Sequence, residues 1–183
     1  RLLRLARGAF LAVVEHLGAD EADPGPQPGE EAVALVELVE GVDRWPREQA
    51  KRVLFGAEPA QVVPALRQWL TGLDPRAPDH DFALLQALGV LEALESPEFP
   101  VLERALSAAT PELRAYAVAT LARWADRLPP GYPWLSRLAA LAVDPDPAVR
   151  LAVVVAAGNL ARPEVLPALL RAAAQPRDPF LDT

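Results

Sequence analysis

Apolar residues recur along this chain at the i, i+3, i+4, i+7 spacing of an amphipathic helix, and proline interrupts the pattern at short intervals. Leu2, Leu5, Ala9, Ala12 and Val13 predict a first helix over 1–17, with Arg1, Arg4, Arg7 and Glu15 between them. Residues 18–29 (GADEADPGPQPG) have the Pro, Gly and acidic content of a flexible surface loop joining two helices of one body. A second helix is expected over 30–42 (Leu35, Leu38, Val39, Val42) and a short one near 47–54. Two more follow over 59–73 (Val63, Leu66, Leu70, Leu73) and 82–94 (Leu84, Ala87, Leu88, Leu91). The same stripe returns as Leu102, Ala105, Leu106, Ala109, then as Leu135, Leu138, Ala139, Ala142, then as Leu166, Leu169, Leu170, Ala173. These read as one helix face written three times.

Between those helices lies a second type that opens on a cap residue followed by proline: Thr110-Pro111, Asp146-Pro147 and Asp178-Pro179. The Thr or Asp oxygen can accept a hydrogen bond from a free backbone N–H, and proline at the first helical position lacks the N–H that would otherwise need a partner. Each pair marks a helix start. The starts lie 36 and 32 residues apart, the length of a helical hairpin with its turns, and such a period is the signature of a solenoid. Aligned, TPELRAYAVATLARW and DPAVRLAVVVAAGNL place Arg114 and Arg150 at the same point.

Composition agrees with closely packed helices. Hydrophobic types make up 51%, which excludes a disordered tail, while aromatics are 6% and Ala and Leu dominate over β-branched runs. The expected class is all-α, in a single domain over 1–183. A net charge of −7, with no dense cluster of Lys and Arg, argues against nucleic acid as a partner. Cysteine is absent, so the chain can form no disulfide, thiolate metal site, cysteine nucleophile or covalent c-type haem attachment. The basic, apolar start could be mistaken for a signal peptide, but it keeps helical spacing and shows no small-residue cleavage site before Asp20. No run approaches the roughly 20 apolar residues of a membrane span. A first residue of Arg, and a last segment in which a helix is just beginning, lead to the expectation that this is a piece of a longer chain.

The segments DPDPAVRLAV, VLPALLRAAA and VVPALRQWL resemble HEAT repeats. That resemblance implies a right-handed α-solenoid of antiparallel helix pairs. A narrower one covers 43–183: DRWPREQAKRVL, VVPALRQWLTGLDP, DFALLQALGVLEAL, PELRAYAVATLARWADRLP, DPDPAVRLAVVVAAGNL and RDPFLDT, in that order. These resemble the HEAT region of large planctomycete-type haem-binding, membrane-bound dehydrogenase-like proteins. Members of that family join a sugar-dehydrogenase-like β-propeller, a HEAT region and a c-type cytochrome domain, and are exported to the periplasm. The resemblance implies a spacer between redox domains. This chain lacks the family's Cys-x-x-Cys-His, so no haem, and no other cofactor, is assigned to it.

Candidate chemistry is sparse. His16 and His80 are the two histidines; the first sits among apolar residues near a helix end, and the second, in Pro-Asp-His-Asp, reads as part of a capping loop. The His-Glu pairs of HEAT-type di-iron hydroxylases are missing. Glu30, Glu31, Asp79, Asp81, Glu95 and Glu98 fall in loops or first helical turns, where a carboxylate offsets the helix dipole. No phosphate loop, GxSxG elbow or EF-hand loop occurs. No catalytic or metal residue is expected. Asp144 and Asp146 flank Pro145 in a tight turn with Arg150 one turn into the next helix, and the resemblance to HEAT repeats implies a structural role for them and Arg114, tying neighbouring repeats through charge-assisted hydrogen bonds; Thr110, Pro111 and Pro147 complete the repeat positions. Of the four tryptophans, Trp69 and Trp124 are expected to pack inside. Trp45 and Trp134, beside Pro46 and Pro133 at helix starts, are candidate partner anchors.

The function implied is geometric: stacked hairpins whose second helices line a concave, protein-binding face. The leading expectation is an intramolecular spacer and docking surface in a multidomain periplasmic redox protein. An alternative is a free-standing cytoplasmic adaptor for a partner protein. An enzyme of the HEAT-like DNA glycosylase or lyase type would need a basic groove or a buried acid, and the sequence offers neither.

Overall fold

A computed structural model describes residue 36 and residues 44–175, with side chains described at 36 and from 47 onward. The predicted helix over 1–17, the loop over 18–29, most of the helix over 30–42 and the Asp178-Pro179 start lie outside the described residues. So do His16, Glu30, Glu31 and the Trp45 side chain. The described residues hold no strand. The chain divides into two compact units, 1–96 and 97–183, each described here by itself.

In the first unit, α1 (Arg44–Gly56), α2 (Pro59–Gly72) and α3 (His80–Ala93) follow one another, with α1 and α2 each packed on α3. Proline sets the start of α2: Pro59 occupies the first helical turn behind the extended cap residue Glu58. Pro64 lies inside α2 and removes one backbone donor from its second turn. α3 is the centre of this unit, with Ala83, Leu84, Ala87, Leu88 and Leu91 at most 1% exposed. Ala50 and Leu54 of α1, and the helical Val36, are also fully buried. The short helix expected near 47–54 runs longer at both ends, with Pro46 in its first turn, where the missing N–H interrupts no helical hydrogen bond.

The second unit contains α4 (Phe99–Leu106), α5 (Pro111–Arg123), α6 (Trp134–Leu141), α7 (Pro147–Leu160) and α8 (Leu166–Ala173). α4 pairs with α5 and α6 with α7, while α5 packs on α7 and α6 on α8. The result is two helix layers, the arrangement of an α-solenoid. Leu102, Ala105 and Leu106 of α4, Leu113, Ala117, Val118 and Leu121 of α5, Leu138 of α6, and Val149 and Val153 of α7 form the seam between layers. Thr110-Pro111 and Asp146-Pro147 open α5 and α7 as the pattern predicts.

The written stripes hold in α4 and slip in α8. Ala109 lies past the end of α4 and is exposed. In α8 the buried residues are Ala168 and Ala172, preceded by Val165, whereas Leu166 and Leu170 are 53% and 60% exposed. The helix is turned one position from the expected face. Alanines at its contact let it lie close to α6 and α7, since interaxial distance follows the size of the contacting side chains.

Candidate functional site

α5 and α7 are each opened by a turn that an arginine holds from within the helix. In α5, Arg114 Nη1 donates to the carbonyls of Ala108 and Ala109 at 3.0 and 2.8 Å. In α7, Arg150 Nη1 donates to the carbonyls of Asp144 and Pro145 at 2.8 and 2.9 Å. The two residues that share a place in the sequence repeat share these bonds, to carbonyls five and six residues back. They satisfy acceptors that the short turns leave outside the helical ladder.

A carboxylate joins the two turns. Asp144 is 8% exposed and takes both arms of Arg114, Nε to Oδ2 and Nη2 to Oδ1, each at 2.8 Å. Its Oδ1 also accepts from the Asp146 backbone N–H at 2.9 Å. Burial alone would raise this carboxyl. The Arg114 hydrogen bonds, the Asp146 N–H and the charges of Arg114 and Arg150 outweigh it and hold the group below its ordinary value. Asp146 in turn accepts from Ala148 N–H at 2.8 Å and caps α7. Thr110 takes the same extended cap conformation before α5, but its hydroxyl makes no cap hydrogen bond. The cap bond expected of both residues is therefore made by Asp146 alone.

A second polar knot ties α4 to the segment leading into α6. Tyr132 donates its hydroxyl to Glu103 Oε1, and Arg137 Nη2 lies 2.6 Å from Glu103 Oε2. Gly131, at φ 81°, makes the turn that returns Tyr132 to α4, a conformation open to a residue without Cβ. The Tyr132 ring lies 5.7 Å from Phe99, which meets Trp124 edge-on at 6.5 Å. Burial, then the Glu103 hydrogen bond and charge, push the Tyr132 phenol above its ordinary value. These residues are far apart in sequence and outside the repeat, and no local signal announces them.

The aromatic candidates divide. Trp124 is 4% exposed within the core, and Trp69 is half-buried on α2. Trp134 is half-buried, and the Arg162 guanidinium stands 5.5 Å over its ring while also pairing with Asp126. One face of that candidate anchor is thus occupied within the unit. His80 begins α3 with its Nδ1 3.2 Å from Asp81 Oδ1. Asp79 and Glu98 are the cap residues of α3 and α4, and Glu95 turns the chain at φ 49° after α3. Among the described residues no three acidic or imidazole side chains converge at metal-binding distances, and no helix is long and apolar enough to cross a membrane.

A groove of about 410 Å³ lies between α5 and α7 in the second unit. Its floor is alanine: Ala119 and Ala122 from α5, and Ala148, Ala152 and Ala156 from α7. Leu151 and Val155 form the α7 wall, 60% and 54% exposed. Arg123 and Asn159 close one end. Arg123 is stacked over Tyr116 at 5.7 Å, and its Nη2 donates to Thr120 Oγ1 at 3.4 Å. Such a groove can bury aliphatic side chains, and its lining holds no acid–base pair. None of its lining residues was a sequence candidate. The available signal was α7 itself: PAVRLAVVVAAGNL carries more apolar positions than its one buried face uses.

Residues 98–182 match the family model for HEAT repeats, a stretch that nearly coincides with the second unit. No curated protein matches the chain, and no solved structure does.

Proposed function

We propose that this chain is a non-catalytic helical-repeat scaffold that holds a partner protein, or another domain of its own parent protein, on the α5–α7 face. The observation that carries this reading is the groove, with Leu151 and Val155 more than half exposed on a helix whose opposite face, Val149, Val153, Ala156 and Ala157, is buried. Exposed aliphatic pairs beside an alanine floor are a cost in an isolated body and an asset in a docking face. The similarity of 98–182 to HEAT repeats supports it, because repeats of this kind are commonly protein-interaction scaffolds.

The finer setting we propose is a spacer between redox domains of a multidomain periplasmic protein, bearing a dehydrogenase-like propeller and a c-type cytochrome. Its support is the ordered resemblance of the segments over 43–183. The test is the intact mass and the oxidised and reduced visible spectra of the native protein carrying this segment. A much larger mass with haem bands supports the spacer. A colourless protein near 19.7 kDa removes the redox setting and leaves a free-standing adaptor. In either case Leu151→Glu with Val155→Glu should abolish capture of the partner or domain while leaving the helical circular dichroism unchanged; undiminished capture would sink the docking face.

A further inference from the structure

We infer that the exposed apolar face of α8 receives the segment of this chain that begins at Asp178-Pro179, seated there as α5 is on α4 and α7 on α6. That segment lies outside the described residues; the face it fits lies within them. The inference is independent of the α5–α7 groove and uses none of its lining.

α6 and α8 share one register. Each is eight residues long, and each is followed, five residues after its end, by an aspartate–proline pair, Asp146-Pro147 or Asp178-Pro179. Their last turns close alike, with the Ala142 and Ala174 N–H groups donating to the Leu138 and Leu170 carbonyls at 2.9 and 3.1 Å. Leu138 therefore corresponds to Leu170, Leu141 to Ala173 and Ala142 to Ala174.

The surroundings of these positions differ. Leu138, Leu141 and Ala142 are buried, and so are Leu102, Ala105 and Leu106 on α4. Leu170 is 60% exposed, Ala173 and Ala174 are exposed beside it, and Leu166, one turn earlier, is exposed as well. α8 is held from its other side, where Val165, Ala168 and Ala172 are buried. Leu166, Leu170 and Ala173 stand at i, i+4 and i+7, the stripe by which a helix takes another helix. Among the described residues α4 has α5 and α6 has α7 paired with it, and no following helix pairs with α8.

The sequence beyond α8 carries what such a pairing uses. The third residue after each cap is apolar: Leu113 after Thr110, Val149 after Asp146, Leu181 after Asp178. Leu113 and Val149 are fully buried in the seam between the layers. Asp146 caps α7 through its side chain, and Asp178, followed by the same proline, offers the same oxygen to a helix start. The tether is short, so the segment meets α8 at a high effective concentration, which favours it over a second copy of the chain.

The test uses the full chain. Residues 1–183 contain no cysteine, so a thiol placed among them can be followed through the mass of its own peptide. Leu170→Cys, Ala140→Cys on the exposed side of α6, and Val153→Cys in the seam are each reacted with a maleimide under native conditions. Leu170→Cys should label at least about tenfold more slowly than Ala140→Cys, at any protein concentration. Adding Leu181→Asp, or replacing 178–183 by Gly and Ser, should raise its rate to that of Ala140→Cys, while Val153→Cys stays protected and circular dichroism is unchanged. Rapid labelling of Leu170→Cys with 178–183 intact overturns the inference. So does protection that survives both changes at 178–183, as another domain or a partner would give, and protection lost on dilution, the mark of a second copy.

Discussion

The second unit contains two three-residue polar knots, and they differ in what surrounds the carboxylate. Around Asp144, the side chain is 6% exposed and that of Arg114 14%, and every arm of the pair meets a partner in fixed geometry. Around Glu103, the carboxylate side chain is 29% exposed and that of Arg137 44%, so water screens the ion pair and its contribution is small. The more sheltered member of that knot is Tyr132, which is half-buried. One knot therefore depends on a charge being present, and the other on a proton being retained. The same number of residues gives opposite sensitivities to pH, because burial falls on an acid in one case and on a phenol in the other.

The largest expected effect is Asp144→Ala. It leaves the Arg114 guanidinium with two lost partners and the Asp146 N–H with none in the side chain, and should cost about 3 kcal/mol in urea unfolding. Arg114→Ala should cost a similar amount, whereas Arg137→Ala should cost less than about 1 kcal/mol. Equal losses at Arg114 and Arg137 would break the comparison.

Acid titration comes next. The folded Asp144 carboxyl lies below its ordinary value of 3.8, so its stabilisation is fully present above about pH 4 and is lost as pH falls through the folded value. The midpoint of urea unfolding should therefore fall more steeply below pH 4 in the natural chain than in Asp144→Asn. At the alkaline end the sign reverses. The folded Tyr132 phenol lies above its ordinary value of 10.0, so its contribution is present below about pH 10 and lost above it. Tyr132→Phe should cost about 1 kcal/mol at neutral pH and flatten the decline above pH 10. The smallest contrast is at the caps: Asp146→Ala should cost about 1 kcal/mol, and Thr110→Ala a few tenths, as read by thermal unfolding.

Much of the fold was legible because its determinants are local. Proline after a cap residue opens α5 and α7, and Leu102, Ala105 and Leu106 of the α4 stripe are buried where they were written, since backbone donors and helical period act within a few residues. The pairing of Arg114 with Asp144 spans 30 residues. It could be anticipated from the resemblance to HEAT repeats, which implies an Asp and an Arg tying neighbouring repeats. The Glu103–Tyr132–Arg137 knot could not, since no repeat and no spacing joins them. The face of α8 was misread for a related reason. Leu166, Leu169 and Leu170 dominate any hydrophobic stripe, but contact with α6 and α7 selected Ala168 and Ala172, because small residues permit the closer approach.

By itself the sequence determined the class, the starts of α5 and α7, the equivalence of Arg114 and Arg150 and the absence of cysteine chemistry. These follow from composition, capping and periodicity, which are properties of short stretches of chain. Only the tertiary structure decided which apolar residues stay outside. Leu151 and Val155 cannot be told from their buried neighbours Val149 and Val153 by residue type. Their exposure is fixed by where α5 lies against α7, and the groove, with Arg123 at its end, exists only once those two helices are side by side.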